Sequence, residues 1–157
     1  MQNIKKICLI TLLLLFSNCG YKVLDTSKLN NFSFKEIETT GDKRVSFKIK
    51  NNLLINSNRN NKNILLLELD TKKTKNVKEE NIKNEITKYE IVLNINLKFN
   101  ELNSTEKHSI NLSINGDYTI GSNYSATLNN EKKIIENLVE NASDKILNEI
   151  GLKLNDI

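Results

Sequence analysis

The stretch Tyr89-Glu-Ile-Val-Leu-Asn-Ile-Asn-Leu-Lys-Phe99 has the most regular pattern in this chain and decides its fold. Apolar residues occupy every second position from Tyr89 to Phe99, and mostly polar residues stand between them. Because successive side chains of a β-strand point to opposite faces, the pattern predicts a strand that is buried on one face and exposed on the other. We therefore expect an antiparallel sheet with one apolar and one polar side.

The same alternation continues on the C-terminal side of this strand. After a polar loop at residues 100–107, apolar residues recur at every second position around Ile110 and Ile114, and again at Tyr118. Two such runs joined by a short polar loop predict a pair of antiparallel strands. Gly116 interrupts the second run, and a glycine inside a strand indicates either a bulge or a weak point.

Two more strands are predicted on the N-terminal side. Residues 31–37 form a short alternating run, which Thr39-Thr-Gly-Asp42 is expected to break. The apolar run Ile64–Leu69 has the length and composition of a buried strand. The charged stretch from there through Glu80 is interpreted as a polar connection.

Residues 45–55 fit two interpretations. Val45, Phe47 and Ile49 alternate as in a strand, whereas Val45, Ile49 and Leu53 would share one face of a helix. The pattern of the residues alone leaves both open.

The C-terminal third changes its period from two to that of a helix. Apolar residues from Ile134 to Leu154 fall on one stripe, and charged residues lie mostly outside it. We predict a helix from about Asn130 to Leu154, with Asn129 or Asn130 as its cap and Gly151 as a possible early end. The order of elements predicts an α+β domain of two layers.

The N-terminus has the features of an export signal. Lys5 and Lys6 precede the apolar run Ile7–Phe16, which is about half as long as a membrane-spanning helix, and Cys19 follows closely. We predict a signal peptide at residues 1–18, cleavage before Cys19, and a lipid on the Cys19 thiol. Asn18 is unusual at its position, so an ordinary signal peptide with an incidental cysteine is the alternative. A lipidated tether at 19–31 and a single domain at 32–157 would follow.

Composition excludes some classes of function. The chain has 157 residues and a formal net charge of +4, and its cations alternate with anions along most of its length. Nucleic-acid-binding proteins instead cluster their cations, usually with aromatic residues. We therefore predict no nucleic-acid partner.

No constellation of residues indicates catalysis. The single histidine, His108, lies in a strand-like alternation, and the spacing of Cys, His and acidic residues matches no zinc site. The five glycines form neither a nucleophile elbow nor a phosphate-binding loop. We predict no catalytic residues, no metal and no cofactor other than the covalent lipid. A small hydrolase with an unrecognised site is the alternative, which His108→Ala would test first.

Three short motifs carry a resemblance to a known family. The lipoprotein start Cys19-Gly-Tyr21, the strand opening Lys88-Tyr-Glu-Ile91, and the passage through Tyr124-Ser-Ala-Thr127 into an amphipathic helix resemble the LptE (rare lipoprotein B) family. The resemblance covers nearly the whole mature chain. It implies two helices packed on a four-stranded, mostly antiparallel sheet, which favours a helix at residues 45–55.

The resemblance also implies a function. LptE-like proteins are outer-membrane lipoproteins that lodge in a large LptD-like β-barrel and act with it in lipopolysaccharide transport. Gly20 is not the Asp that commonly retains lipoproteins in the inner membrane, so the outer membrane, on its periplasmic side, is the implied location. The competing interpretation is a generic periplasm-facing lipoprotein that binds a small apolar ligand or peptide between helix and sheet.

Family members are also thought to contact lipopolysaccharide through basic side chains. The resemblance makes Lys83 and Lys88 candidates for one such position, near the start of the Tyr89 strand. A second position, just before the final helix, has no basic counterpart at Leu128–Asn130.

Overall fold

The computed structural model of the protein describes residues 32–57 and 63–155. The predicted signal peptide, Cys19 and the tether at 19–31 lie outside these ranges. The elements are β1 (Phe32–Gly41), α1 (Lys43–Asn56), β2 (Asn63–Glu80), β3 (Ile86–Glu101), β4 (His108–Thr119) and α2 (Tyr124–Asn155).

The four strands form one sheet in the order β1-β2-β3-β4. β1 is parallel to β2, whereas the β2–β3 and β3–β4 pairs are antiparallel. The two helices contact each other, with α1 against β1 and β2 and α2 mainly against β4. The predicted α+β fold, two helices on a mostly antiparallel four-stranded sheet, is confirmed.

The core lies between the helices and the inner face, which we define as the helix-facing side of the sheet. Ile91, Leu93 and Leu97 of β3 are completely buried there, while Asn94 and Asn96 between them are exposed. The alternation therefore predicted this strand correctly. Burying so many aliphatic side chains is the main stabilising contribution of the fold, at about 25 cal/mol per Å² of apolar surface.

β1 is longer than predicted. Thr39 and Thr40 continue the strand, and Gly41 pairs with Thr71 of β2. Gly41 has a φ of 82°, and a Cβ at this position would overlap the carbonyl oxygen of Thr71. The break therefore occurs at Gly41, where the chain turns sharply into α1.

β2 extends through the charged stretch for which the sequence predicts a polar connection. Lys72 to Val77 pair with β3 without interruption, and bulges follow near Glu79. The prediction was wrong because pairing with an alternating neighbour holds these polar residues in the sheet. Their own hydrophobicity gave no sign of a strand.

Residues 43–56 are a helix, as the resemblance implied. The Asp42 side chain caps it by accepting hydrogen bonds from the backbone N–H groups of Arg44 (3.1 Å) and Val45 (3.0 Å). Val45, Ile49 and Leu53 face the core. The strand interpretation required Phe47 to share a face with Val45, whereas Phe47 is 62% exposed.

α2 begins six residues before its predicted start. Asn123, not Asn129 or Asn130, lies at the N-terminus, where its Oδ1 accepts a hydrogen bond of 2.8 Å from the N–H of Ala126. The polar first turns hid the beginning of the helix from a search for apolar periodicity. Gly151 does not end the helix, which continues to Asn155.

Gly116 is not a bulge. It pairs with Ile91 in an unbroken register. A Cβ at Gly116 would lie 2.9 Å from Cδ1 of Ile134 and 3.3 Å from Cδ2 of Leu138, both on α2. The missing side chain thus lets the helix approach the sheet.

Candidate functional site

The side of the sheet that faces away from both helices, here called the outer face, is a polar surface. Asn96 and Asn111 are cross-strand neighbours near its centre, and Asn94 lies beside Ser113. All four side chains are exposed. No element within residues 32–57 and 63–155 covers this face.

The outer face also has an uneven charge. Glu38 of β1 lies directly beside Glu68 of β2, and Lys98 of β3 stands opposite Glu68. Two residues further along the same strands, the Thr40 hydroxyl of β1 donates a hydrogen bond of 2.8 Å to Asp70 of β2. Beyond Lys98, the acidic β1–β2 side thus passes into the uncharged group formed by Asn94, Asn96, Asn111 and Ser113.

The end of the molecule formed by the β2–β3 hairpin tip, the β4–α2 connection and the first turns of α2 is here called the distal end. It lies opposite the start of β1, because Phe32 pairs with Asn63 at the beginning of β2. Several large apolar side chains are exposed there. They are Val77 (48%), Ile82 (102%), Ile120 (40%), Tyr124 (78%) and Leu128 (45%).

Both predicted lipopolysaccharide-contact lysines lie at the distal end, but in different surroundings. Lys83 is exposed in the hairpin turn, where its backbone N–H donates a hydrogen bond of 2.9 Å to the Asn81 side chain. Lys88 lies in β3, and its Nζ is 2.6 Å from Oε1 of Glu79. Lys88 also lines a cleft.

That cleft, of about 330 Å³, opens between the end of β4 and α2. It contains a second cation, Lys133, together with the amides of Asn130 and Asn137. The resemblance implied a second basic position before the helix, at Leu128–Asn130, and did not point to Lys133. Since α2 starts at Tyr124, the cation lies on the helix itself; the pair Lys132–Lys133 was the available signal.

Asp117 brings an anionic group to the same cleft. One of its carboxylate oxygens pairs with Lys78, and the other, Oδ1, is buried without a hydrogen-bond partner among the described residues. The hydrogen bond to Asp117 raises the pKa of Lys78.

A polar cluster joins α2 to the sheet just below the distal end. Nζ of Lys75 lies 2.8 Å from Oε2 of Glu131, and the Tyr118 hydroxyl donates a hydrogen bond of 2.8 Å to the same oxygen. The ammonium group also lies 4.3 Å from the ring centroid of Tyr89 and 5.2 Å from that of Tyr118. We call these four residues the Lys75 cluster.

The protonation of the cluster follows from its partners. Desolvation is the largest influence on Lys75 and on Glu131, but their hydrogen bonds outweigh it, so that the pKa of Lys75 is raised and the pKa of Glu131 is lowered. Desolvation also raises the pKa of Tyr118. At neutral pH the cluster holds an ammonium, a carboxylate and a neutral phenol.

His108, the first residue to test for catalysis, lies at the start of β4. Its ring stacks on Phe99 with centroids 5.1 Å apart, and its Nε2 is 4.0 Å from the carboxylate of Glu106. The described residues contain no group of three or more His, Cys, Asp or Glu side chains that could hold a metal ion. In the same part of the chain, no helix is long and apolar enough to cross a bilayer.

Known proteins resemble this chain in structure and not in sequence. No family model matches it, and no curated protein matches it. The rare lipoprotein B of Shewanella oneidensis has a TM-score of 0.59 at 14% identity, over 77% of this chain and 97% of that one. A candidate lipoprotein of Caulobacter crescentus has a TM-score of 0.57 at 15% identity, over 83% and 95%.

The first of these neighbours is a rare lipoprotein B, the type of protein that the sequence motifs resemble. At such low identity the likeness establishes the fold, so the resemblance stated from the sequence is confirmed at that level.

Proposed function

We propose that the chain is a lipoprotein, acylated at Cys19 and held on the periplasmic side of the outer membrane. It assembles with and plugs a large LptD-like β-barrel that transports lipopolysaccharide to the outer leaflet. The LptE-like fold and the lipoprotein start Cys19-Gly-Tyr21 support this function.

The outer face carries the argument for a barrel partner. Large transmembrane barrels have polar, water-filled interiors, so that a protein inside one meets hydrogen-bonding groups and not lipid. The row formed by Asn94, Asn96, Asn111 and Ser113 offers amide and hydroxyl groups of that kind. These groups are uncharged, and their desolvation on binding costs less than that of ions.

The cleft between Lys88 and Lys133 is the proposed lipopolysaccharide contact. Lys133 and Lys88, the latter paired with Glu79, line it together with Asp117, and Ile134 adds an apolar wall. A phosphorylated lipid requires both a positive charge and an apolar surface. Lys83 would add a third positive charge at the hairpin tip.

The observations favour an apolar ligand between helix and sheet less strongly. Leu93 of the inner face, together with Ile49 and Ile146 of the two helices, is completely buried in one hydrophobic cluster. The cleft described at α2 opens to the surface at the distal end.

Affinity purification from native membranes in mild detergent tests the proposal. We expect a large β-barrel protein in stoichiometric amount and, by mass spectrometry, an acylated Cys19. An acylated protein with no barrel would refute the function and leave the lipoprotein. A protein that keeps its signal peptide would refute the lipidation as well.

Variants test whether the outer face is the contact. Asn96→Arg with Asn111→Arg places two bulky charges at its centre and should abolish copurification of the barrel. Asn129→Arg with Asn141→Arg adds the same charges at exposed positions of α2 and should not. If both pairs leave the barrel bound, the outer face is not its contact.

Lipopolysaccharide binding is tested separately with the purified protein. Lys88→Ala with Lys133→Ala should weaken binding of purified lipopolysaccharide by about tenfold or more, because each charge-assisted contact contributes about 1.5–3 kcal/mol. The matched control, Lys132→Ala with Lys145→Ala, removes two exposed cations of α2 that do not line the cleft. Equal losses in both pairs would contradict a specific contact.

A further inference from the structure

Helix α1 has a second apolar surface that the core does not use. Phe47 is 62% exposed and Ile55 is 78% exposed, whereas Val45, Ile49 and Leu53 face the core. At 100° per residue, Phe47 and Ile55 are about 80° apart, and both lie on the half of the helix that faces away from the middle of this buried stripe. Exposing two large apolar side chains on one helix face indicates a contact outside this domain.

The same helix is unusually basic. It contains four cations and no Asp or Glu, which gives it a charge of +4. Lys48 pairs with Glu136 at 3.3 Å, and Lys50 donates a hydrogen bond of 2.7 Å to the Ile37 carbonyl. The other two cations, Lys43 and Arg44, are exposed.

Apart from Asp42, which caps its N-terminus and pairs with Lys73 at 3.8 Å, acidic groups line one flank of α1. Glu136, Glu140 and Asp144 of α2 line a groove between the two helices, in which Lys48 also lies. Phe47 does not line this groove. The surface around Phe47 and the neighbouring Lys43 is therefore both basic and apolar, and α1 itself contributes no Asp or Glu to it.

This combination fits a membrane better than a protein. Protein interfaces are depleted in Lys, while basic helices with exposed Phe or Leu are typical of lipid surfaces, where the apolar side chains enter the headgroup region. Each Lys or Arg near an anionic leaflet contributes about 1 kcal/mol of attraction.

The length of the segment between Cys19 and β1 would allow α1 to reach the membrane surface. Cys19 precedes Phe32 by 13 residues (32 − 19), which span at most about 45 Å when fully extended. The α1 end that carries Ile55 lies near the start of β1, since only six residues separate Asn56 from Asn63, the partner of Phe32. This step alone rests on the lipid proposed at Cys19.

We infer that α1 is a membrane-contact helix. Phe47 and Ile55 enter the headgroup region of an anionic leaflet, and Lys43 and Arg44 lie against its phosphates. The contact orients the domain on the membrane beside its lipid anchor before the domain enters the barrel, and it leaves the outer face of the sheet exposed for that partner.

Vesicle co-sedimentation tests this inference. The mature chain from residue 19 carries Cys19→Ser, so that no acyl chain contributes to binding. The probes are vesicles of phosphatidylethanolamine with phosphatidylglycerol, and vesicles of phosphatidylcholine alone. We expect binding to the anionic vesicles that weakens with added salt, and little binding to phosphatidylcholine. Absence of binding to the anionic vesicles would overturn the inference.

Two pairs of variants locate the contact. Phe47→Ser with Ile55→Ser and, separately, Lys43→Gln with Arg44→Gln should each lower binding by about tenfold or more. All four side chains are exposed, so circular dichroism should show unchanged folding.

Matched controls change similar groups elsewhere. Tyr124→Ser with Leu128→Ser removes exposed apolar groups at the distal end, and Lys132→Gln with Lys145→Gln removes two α2 cations. Each should change binding by less than about threefold. If either control pair matches the α1 variants, the contact is not α1. No barrel is present in this assay, so its failure leaves the proposed barrel partnership intact.

Discussion

The two faces of the sheet use the same strands for different purposes. On the inner face, Leu69 and Leu97 are cross-strand neighbours in a closed core, whereas Asp70 and Asn96, one position along each strand, face outward. The inner face stabilises the fold, and the outer face is available for a partner. A one-residue shift of register would exchange these roles, so the alternation specifies stability and function together.

The inner face itself changes character along its length. Near the start of β1 its rows are aliphatic and aromatic, as in the pair Leu67 and Phe99, but toward the distal end Lys75 and Ile91 become neighbours. There the helix is held by the Lys75 cluster through Glu131. Near the N-terminus of α2, hydrogen bonds and ion pairs thus take the place of apolar packing between the helix and the sheet.

Among substitutions that test the difference between the two faces, Leu97→Ala should have the largest effect on stability. Leu97 is completely buried, so its truncation should lower the free energy of unfolding by about 2–5 kcal/mol through lost burial and a residual cavity. Urea denaturation measures it. A loss below about 1 kcal/mol would mean that the inner face is not the closed core described here.

Gly116→Ala tests how closely α2 approaches the inner face. The added Cβ would lie 2.9 Å from Cδ1 of Ile134, and we expect a loss of about 1–3 kcal/mol by overpacking. Ile134→Val removes that terminal methyl group and should restore part of the loss in the double variant. Simple additivity of the two changes in urea denaturation would argue against a direct contact.

Glu131→Gln tests the polar end of the inner face. It removes the charge that binds Lys75 and should cost about 1 kcal/mol at neutral pH, a modest value because the Lys75 side chain is 39% exposed. Thermal unfolding against pH gives the second readout.

The sign of the pH dependence follows from the pKa of Glu131, which is lowered in the folded state. Its stabilising contribution is complete above the ordinary Glu pKa of about 4.3 and disappears as the pH falls through the folded value. The difference between the wild type and Glu131→Gln should therefore shrink below about pH 4. A difference that stays constant down to pH 3 would exclude the carboxylate as its source.

The raised pKa values of Lys75 and Tyr118 change the stability with pH in the opposite direction to that of Glu131. Their contributions are complete below the ordinary values of about 10 and are lost at higher pH. Tyr118→Phe keeps the ring and removes the titrating hydroxyl, so it should flatten part of the alkaline loss of stability. An unchanged alkaline profile would rule out the phenol.

The sequence predicts the structure of a segment well when burial of its apolar residues determines that structure. It predicts the structure poorly when pairing with a neighbouring strand does. The period-two run at Tyr89–Phe99 and the stripe around Ile146 face a core, and their predictions are confirmed. The stretch Lys72–Glu80 and the first turns of α2 are polar on most sides, so periodicity could not reveal them. Their structure depends on pairing with β3 and on the Asn123 cap.

The candidate site was predictable only in part for a related reason. The resemblance pointed to Lys88, but Lys133 lies 45 residues away (133 − 88) in the sequence and joins the same cleft only through the contact of α2 with β4. A sequence search for neighbouring cations does not find such a pair. The polar outer face was foreseen from Asn94 and Asn96, since alternation predicts both faces at once.

The smallest expected effect on stability is that of Asn96→Ala, and it is the sharpest test of the comparison. Asn96 directly precedes Leu97 but is exposed on the outer face, so the free energy of unfolding should change by less than about 0.5 kcal/mol. If the outer face binds the barrel, the same substitution should lower the amount of barrel recovered at equal expression. A variant that is stable yet binds poorly would separate the two faces by function, whereas a large loss of stability would show that the outer face is also part of the folded core.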